Sequence, residues 1–128
     1  MSYYFAKKLD LDFEQAIQRV TEALKAEGFG IISTIDVQDT LKKKIDVDFR
    51  PYRILGACNP RLAYEALSIE DKVGTMLPCN VVVQAMDDGT TEVAAIDPVA
   101  SMQAIANPRL EATAGGVRDK LKKVVDSL

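Results

Sequence analysis

LPCNVVVQAMDDGTTEVAAIDP, residues 77–98, holds two β-favouring runs either side of Asp87-Asp88-Gly89. Cys79–Met86 reads as a strand, Asp-Asp-Gly as a turn, and Thr90–Ile96 as the returning partner. A hairpin of this kind puts an antiparallel pair into the sheet. Along the first of its strands, Cys79, Val81, Val83 and Ala85 fall to one side, Val82 and Met86 to the other. Both sides are apolar in part, so the second should meet short helices or a partner subunit. That predicts a homodimer.

Working upstream, Tyr52–Cys58 is a third strand entered through Pro51, and Gly30–Val37 a second, rich in β-branched residues. Residues 3–8, YYFAKK, form the first. Between the first two strands, Phe13, Ala16, Ile17, Val20 and Leu24 recur at helical spacing, after a cap at Asp10 or Asp12 and before Gly28. Asp36 or Asp39 caps a short helix through Leu41 and Ile45. Pro60–Ile69 is a third helix, Pro98–Gln103 one or two turns, and Pro108–Leu128 a long final helix. Gly115-Gly116 interrupts that last helix, which predicts either a close backbone neighbour or a bend. The order is β-α-β-α-β-α-ββ-α in one domain, residues 1–128. The expected class is α+β, a single antiparallel-type sheet of about five strands with the long helices on one face.

Three of the five prolines follow Asn or Asp: Asn59-Pro60, Asp97-Pro98 and Asn107-Pro108. An Asn or Asp side chain accepts from a free first-turn N–H, and proline suits the next position because its φ is already helical. The repeated Asn-Pro-Arg-Leu is therefore two helix starts of the same chemistry.

Both cysteines precede an asparagine: Cys58-Asn59 and Cys79-Asn80. Cys58 stands just before a predicted helix start, where free amides and the helix dipole favour a thiolate, with Arg61 in the first turn. Whether the thiols meet depends on topology. An antiparallel third and fourth strand brings them to one end of the sheet, whereas a parallel crossover separates them. Together, with Met76 or Met102 nearby, they are the residue types that hold a soft ion such as Cu(I), or they form a reversible disulfide. Apart, they are small buried hydrophobes.

The 128 residues contain no histidine, which removes His-based triads, His-based zinc sites and the commonest general base. A net charge of −3 argues against a phosphate-tracking nucleic-acid binder. No apolar run reaches the ~18 residues of a membrane span, and Met1–Leu9 lacks a signal-peptide core. A cytoplasmic protein with reduced thiols is expected.

The blocks DFEQAIQRVTEALKAEGFGIISTIDVQDTLKKK, YRILGACNPRLAYEAL, LPCNVVV and AIDPVASM, in this order, resemble the domain of unknown function 302 family over essentially the whole chain. The resemblance implies an α+β fold with an antiparallel-type sheet backed by helices, a dimer, and no established biochemical role. The residues matching its motifs are Cys58-Asn59-Pro60, Pro78-Cys79-Asn80, and Asp97-Pro98 with Met102. Some relatives carry other residues at Cys79-Asn80, so the resemblance supports a pocket defined by shape at least as well as a thiol reaction. The candidate ligand-binding residues are thus Cys58, Asn59, Arg61, Cys79, Asn80, Asp97 and Met102. The favoured reading is a non-catalytic, dimeric module for a small ligand or partner, of unknown cofactor content. The alternative is redox or Cu(I) handling at Cys58 and Cys79.

Overall fold

The computed structural model describes residues 2–128. Five strands, β1 (Tyr4–Leu9), β2 (Gly30–Asp36), β3 (Tyr52–Cys58), β4 (Cys79–Ala85) and β5 (Thr91–Ile96), form one sheet in the order β1-β5-β4-β3-β2. Every neighbouring pair is antiparallel. The helices are α1 (Phe13–Ala26), α2 (Val37–Ile45), α3 (Pro60–Ile69), α4 (Pro98–Ser101) and α5 (Pro108–Asp126). The predicted α+β class and element order are those observed. One addition is a 3-10 helix, Asp71–Met76, in the stretch that carries the chain from α3 back to β4.

Helix starts follow the predicted chemistry. Asp12 caps α1 reciprocally with Gln15, and Asp36 caps α2 through Asp39 N–H. Asn59, Asp97 and Asn107 cap α3, α4 and α5, each with proline next. Of the two expectations for the glycine pair, the close backbone neighbour is not met. Helix α5 runs unbroken through Gly115 and Gly116, and a Cβ at either would meet nothing within 4 Å. They admit no close neighbour. Tertiary packing of the flanking Ala114, Leu121 and Val124 carries the helix across them.

One sheet face makes the core. Leu55, Val81, Val83, Val93 and Ala95 pack against Ala16, Val20 and Leu24 of α1 and Leu121, Val124 and Val125 of α5. A smaller cluster joins Ala66 of α3, Val73, Met102 and the Leu110–Ala114 turn of α5. The other face carries a row in register across all five strands: Ala6, Ala94, Val82, Ile54 and Ile35. None of these side chains belongs to either core cluster, and Ile35 is 50% exposed. A polar row, Lys8, Glu92, Gln84 and Tyr52, runs alongside it.

The sheet's two outer strands differ in character. In β2 the pairing slips between Ile31 and Ser33, a bulge that leaves Ile32 66% exposed. In β1, Lys7 and Lys8 stand side by side. Within the sheet, Gly56 of β3 is held between Ser33 of β2 and Pro78. A Cβ there would run into Ser33 Oγ and come to 2.7 Å from Pro78 Cγ. Among the described residues, no helix is long and apolar enough to cross a membrane.

Candidate functional site

Antiparallel pairing of β3 with β4 sets Ala57 opposite Cys79, so the ends of those strands that carry the cysteines coincide. Helix α3 leaves that end through Asn59. Above it, α3 and the first half of α5 lie against one another, tied by Thr113 Oγ1 donating to Glu65 Oε1 at 2.7 Å. Between these elements is a cavity of about 360 Å³. The sheet supplies Ala57, Cys58 and Cys79. Helix α3 supplies Leu62, Ala63 and Ala66, and α5 supplies Leu110, Thr113, Ala114 and Val117. Pro98 and Met102 close the far wall, while exposed Ile32 and Leu67 contribute apolar side chains. Among the described residues, no charged side chain lines it.

Four of the seven candidate residues, Cys58, Asn59, Cys79 and Met102, line this cavity. The topological question left open by the sequence is answered: both thiols face one space. Their environments differ. Cys58 is half-buried and Cys79 buried. Burial first, then the neighbouring Cys58, pushes the Cys79 thiol up to about 11. Cys79 is accordingly a neutral thiol near pH 7.

The other three candidates lie elsewhere. Arg61, in the first turn of α3, faces an adjoining groove. Asn80 is exposed on the opposite sheet face, because successive residues of a strand point to opposite sides and Cys79 points to the core side. Asp97 is buried and fully engaged. One carboxylate oxygen accepts from Val99 N–H at 3.0 Å, and the other from Arg118 Nε at 3.2 Å. The Arg118 guanidinium also lies over the Phe5 ring, 5.3 Å from its centroid. Asp97 therefore fixes α4, and with it Pro98 and Met102, against α5.

Asn59 is the pivot of the site. Its Oδ1 accepts from Leu62 N–H at 3.2 Å. Its Nδ2 lies where a Cβ on Gly28 would approach to 3.0 Å. Gly28 has φ +86°, a conformation that suits glycine, so the turn after α1 can press closely on the α3 cap. Sequence reasoning did not find Ala66, Leu110, Thr113 or Ala114 as wall residues. Their small or apolar side chains at helical spacing are the same signal as ordinary core.

Among the described residues, no group of three or more His, Cys, Asp or Glu side chains is placed to hold a metal ion. The two thiols and Met102 remain the softest donors facing the cavity.

A five-stranded antiparallel sheet whose helices enclose an apolar cavity over one end of its core face defines a small α+β class of protein. The chain belongs to the family described as domain of unknown function DUF302, whose model matches residues 5–128. It is similar to a solved structure titled as an uncharacterized conserved protein DUF302 from Bacillus stearothermophilus. That likeness has 30% identity, a TM-score of 0.91 and coverage of 98% of each chain. No curated protein matches the sequence.

Proposed function

We propose that this protein is a non-catalytic binding module that holds a small apolar ligand in the cavity between α3, α5 and the β3–β4 end, and that it works as a homodimer. The observation carrying the reading is the cavity itself. Its 360 Å³ falls within the ~300–1,000 Å³ of small-molecule sites. Protein interiors otherwise leave few voids larger than a water molecule. The polar side chains in its wall are used internally: Asn59 caps α3 and Thr113 bonds Glu65. The dimer is supported by the apolar row Ala6-Ala94-Val82-Ile54-Ile35 on the uncovered sheet face.

Ala66→Phe tests the reading, because the new ring occupies the cavity. Toluene should raise the thermal midpoint of the wild type and not that of the variant. Native mass spectrometry should likewise show any co-purified small molecule on the wild type alone. Equal toluene response in both proteins, or none in either, overturns it.

A second reading has one observation in its favour: Cys58 and Cys79 face the same space with Met102. On this reading the pair handles a soft ion such as Cu(I) or cycles through a disulfide. It expects fast alkylation of Cys58 near pH 7, lost in Cys58→Ser. Cys79 should behave oppositely. Because its pKa is raised, the thiolate fraction at pH 7 is small and grows about tenfold per pH unit until the pH nears 11. Alkylation of Cys79 followed by mass should be slow at pH 7 and accelerate steeply with pH. Rapid labelling of Cys79 at pH 7 would contradict the burial that sets its pKa.

A further inference from the structure

Asn59 and Leu62 line both the cavity and an open groove on the other side of the α3 start. The groove is bounded by Gly28, Arg61, Tyr64 and Lys120. Neither Arg61 nor Lys120 has an ion-pair or hydrogen-bond partner among the described residues. The cations of α5 around Lys120 are engaged: Arg118 with Asp97 and Asp119, Lys122 with Asp126, and Lys123 with Glu27. Glu27 is the one acid in the groove wall, and its carboxylate lies 3.5 Å from Lys123 Nζ. An uncharged apolar chamber thus adjoins a shallow groove with two unpaired positive charges.

We propose that the ligand is an amphiphile with a single anionic head, specifically an aliphatic carboxylate of medium chain length. Its tail fills the cavity, and its carboxylate rests between Arg61 and Lys120. The proposal rests on the cavity reading given above and adds the polarity and size of the occupant. Size follows from volume. At ~30 Å³ per water-sized group, 360 Å³ accommodates about a dozen non-hydrogen atoms. Charge follows from the groove. A guanidinium and an ammonium lining one groove favour a carboxylate, and an anion there stays partly hydrated and so avoids the penalty of full burial. Decanoate, whose hydrocarbon tail fits within that volume with its carboxylate left outside, meets both conditions.

Calorimetric titration with decanoate and with decanol, both below their aggregation concentrations, tests this on the full chain. Decanoate should bind at least about tenfold more tightly than decanol, with an affinity that falls as salt is raised. In the double variant Arg61→Ala/Lys120→Ala, decanoate should weaken about tenfold while decanol changes less than about twofold. Equal binding of the two probes, unaffected by the double variant, overturns the anionic head and leaves the cavity reading intact. Failure of wild type to bind either probe, while toluene still raises its thermal midpoint, overturns the chain-like occupant alone.

Discussion

Val82→Lys is expected to abolish the proposed homodimer and leave a folded monomer. Val82 is the centre of the apolar row on the uncovered sheet face, flanked in register by Ala94 and Ile54. An ammonium at that point has no acidic partner in its own row, whose other members are Ala6, Ala94, Ile54 and Ile35. Burying it unpaired costs several kcal/mol after relaxation. A two-fold interface would contain the substitution twice. The dissociation constant should rise at least about a hundredfold, or ~3 kcal/mol. Sedimentation at micromolar concentration should then show half the wild-type mass, with circular dichroism unchanged because the core face is untouched. A wild type that already sediments as a monomer, or a variant that keeps its mass, ends the homodimer proposal.

Leu121→Ala should give the largest loss of stability. Leu121 is fully buried on α5, within the cluster that joins α1, α5 and the sheet. Removing its branched end forfeits both transfer free energy and packing, and leaves a void that rigid neighbours on two sides close only in part. A loss of about 3–4 kcal/mol is expected from large-to-small substitutions of this kind. In a domain of this size that lowers the thermal midpoint by roughly 10 °C or more. Thermal and denaturant unfolding measure it directly. A loss below about 1 kcal/mol would mean that α5 is not seated on the sheet as described.

The fold was legible where chemistry is local. Asn-Pro and Asp-Pro mark three of the helix starts because capping and proline geometry act within one turn. Asp-Asp-Gly marks the β4–β5 turn for the same reason, with Gly89 at φ +85°. The spacing of Phe13 to Leu24 marks α1 because a single face is buried. What required the structure is non-local. Ala66, Leu110 and Ala114 recur as core residues do, and nothing along the chain records that the space before them is unfilled. Lys120 and Arg61 are 59 positions apart and share a groove only because α3 lies against α5. Asn80 misled because adjacency in sequence is opposition in a strand: Cys79 and Asn80 belong to different faces. Cys58 and Cys79 met only because β3 and β4 are antiparallel neighbours, which the sequence had left open.

The outer strands bear on how assemblies of this chain can grow. The face-to-face pairing proposed above closes only if the free backbone at the sheet's rims recruits no further copies; otherwise a closed pair becomes an endless filament. The slipped register in β2 breaks the run of evenly spaced amides and carbonyls that an incoming strand would need. At the opposite rim, the adjacent lysines of β1 would set like charges against one another in any rim-to-rim stack. Growth in the plane of the sheet is thereby discouraged at both ends, and association normal to that plane is left as the open direction.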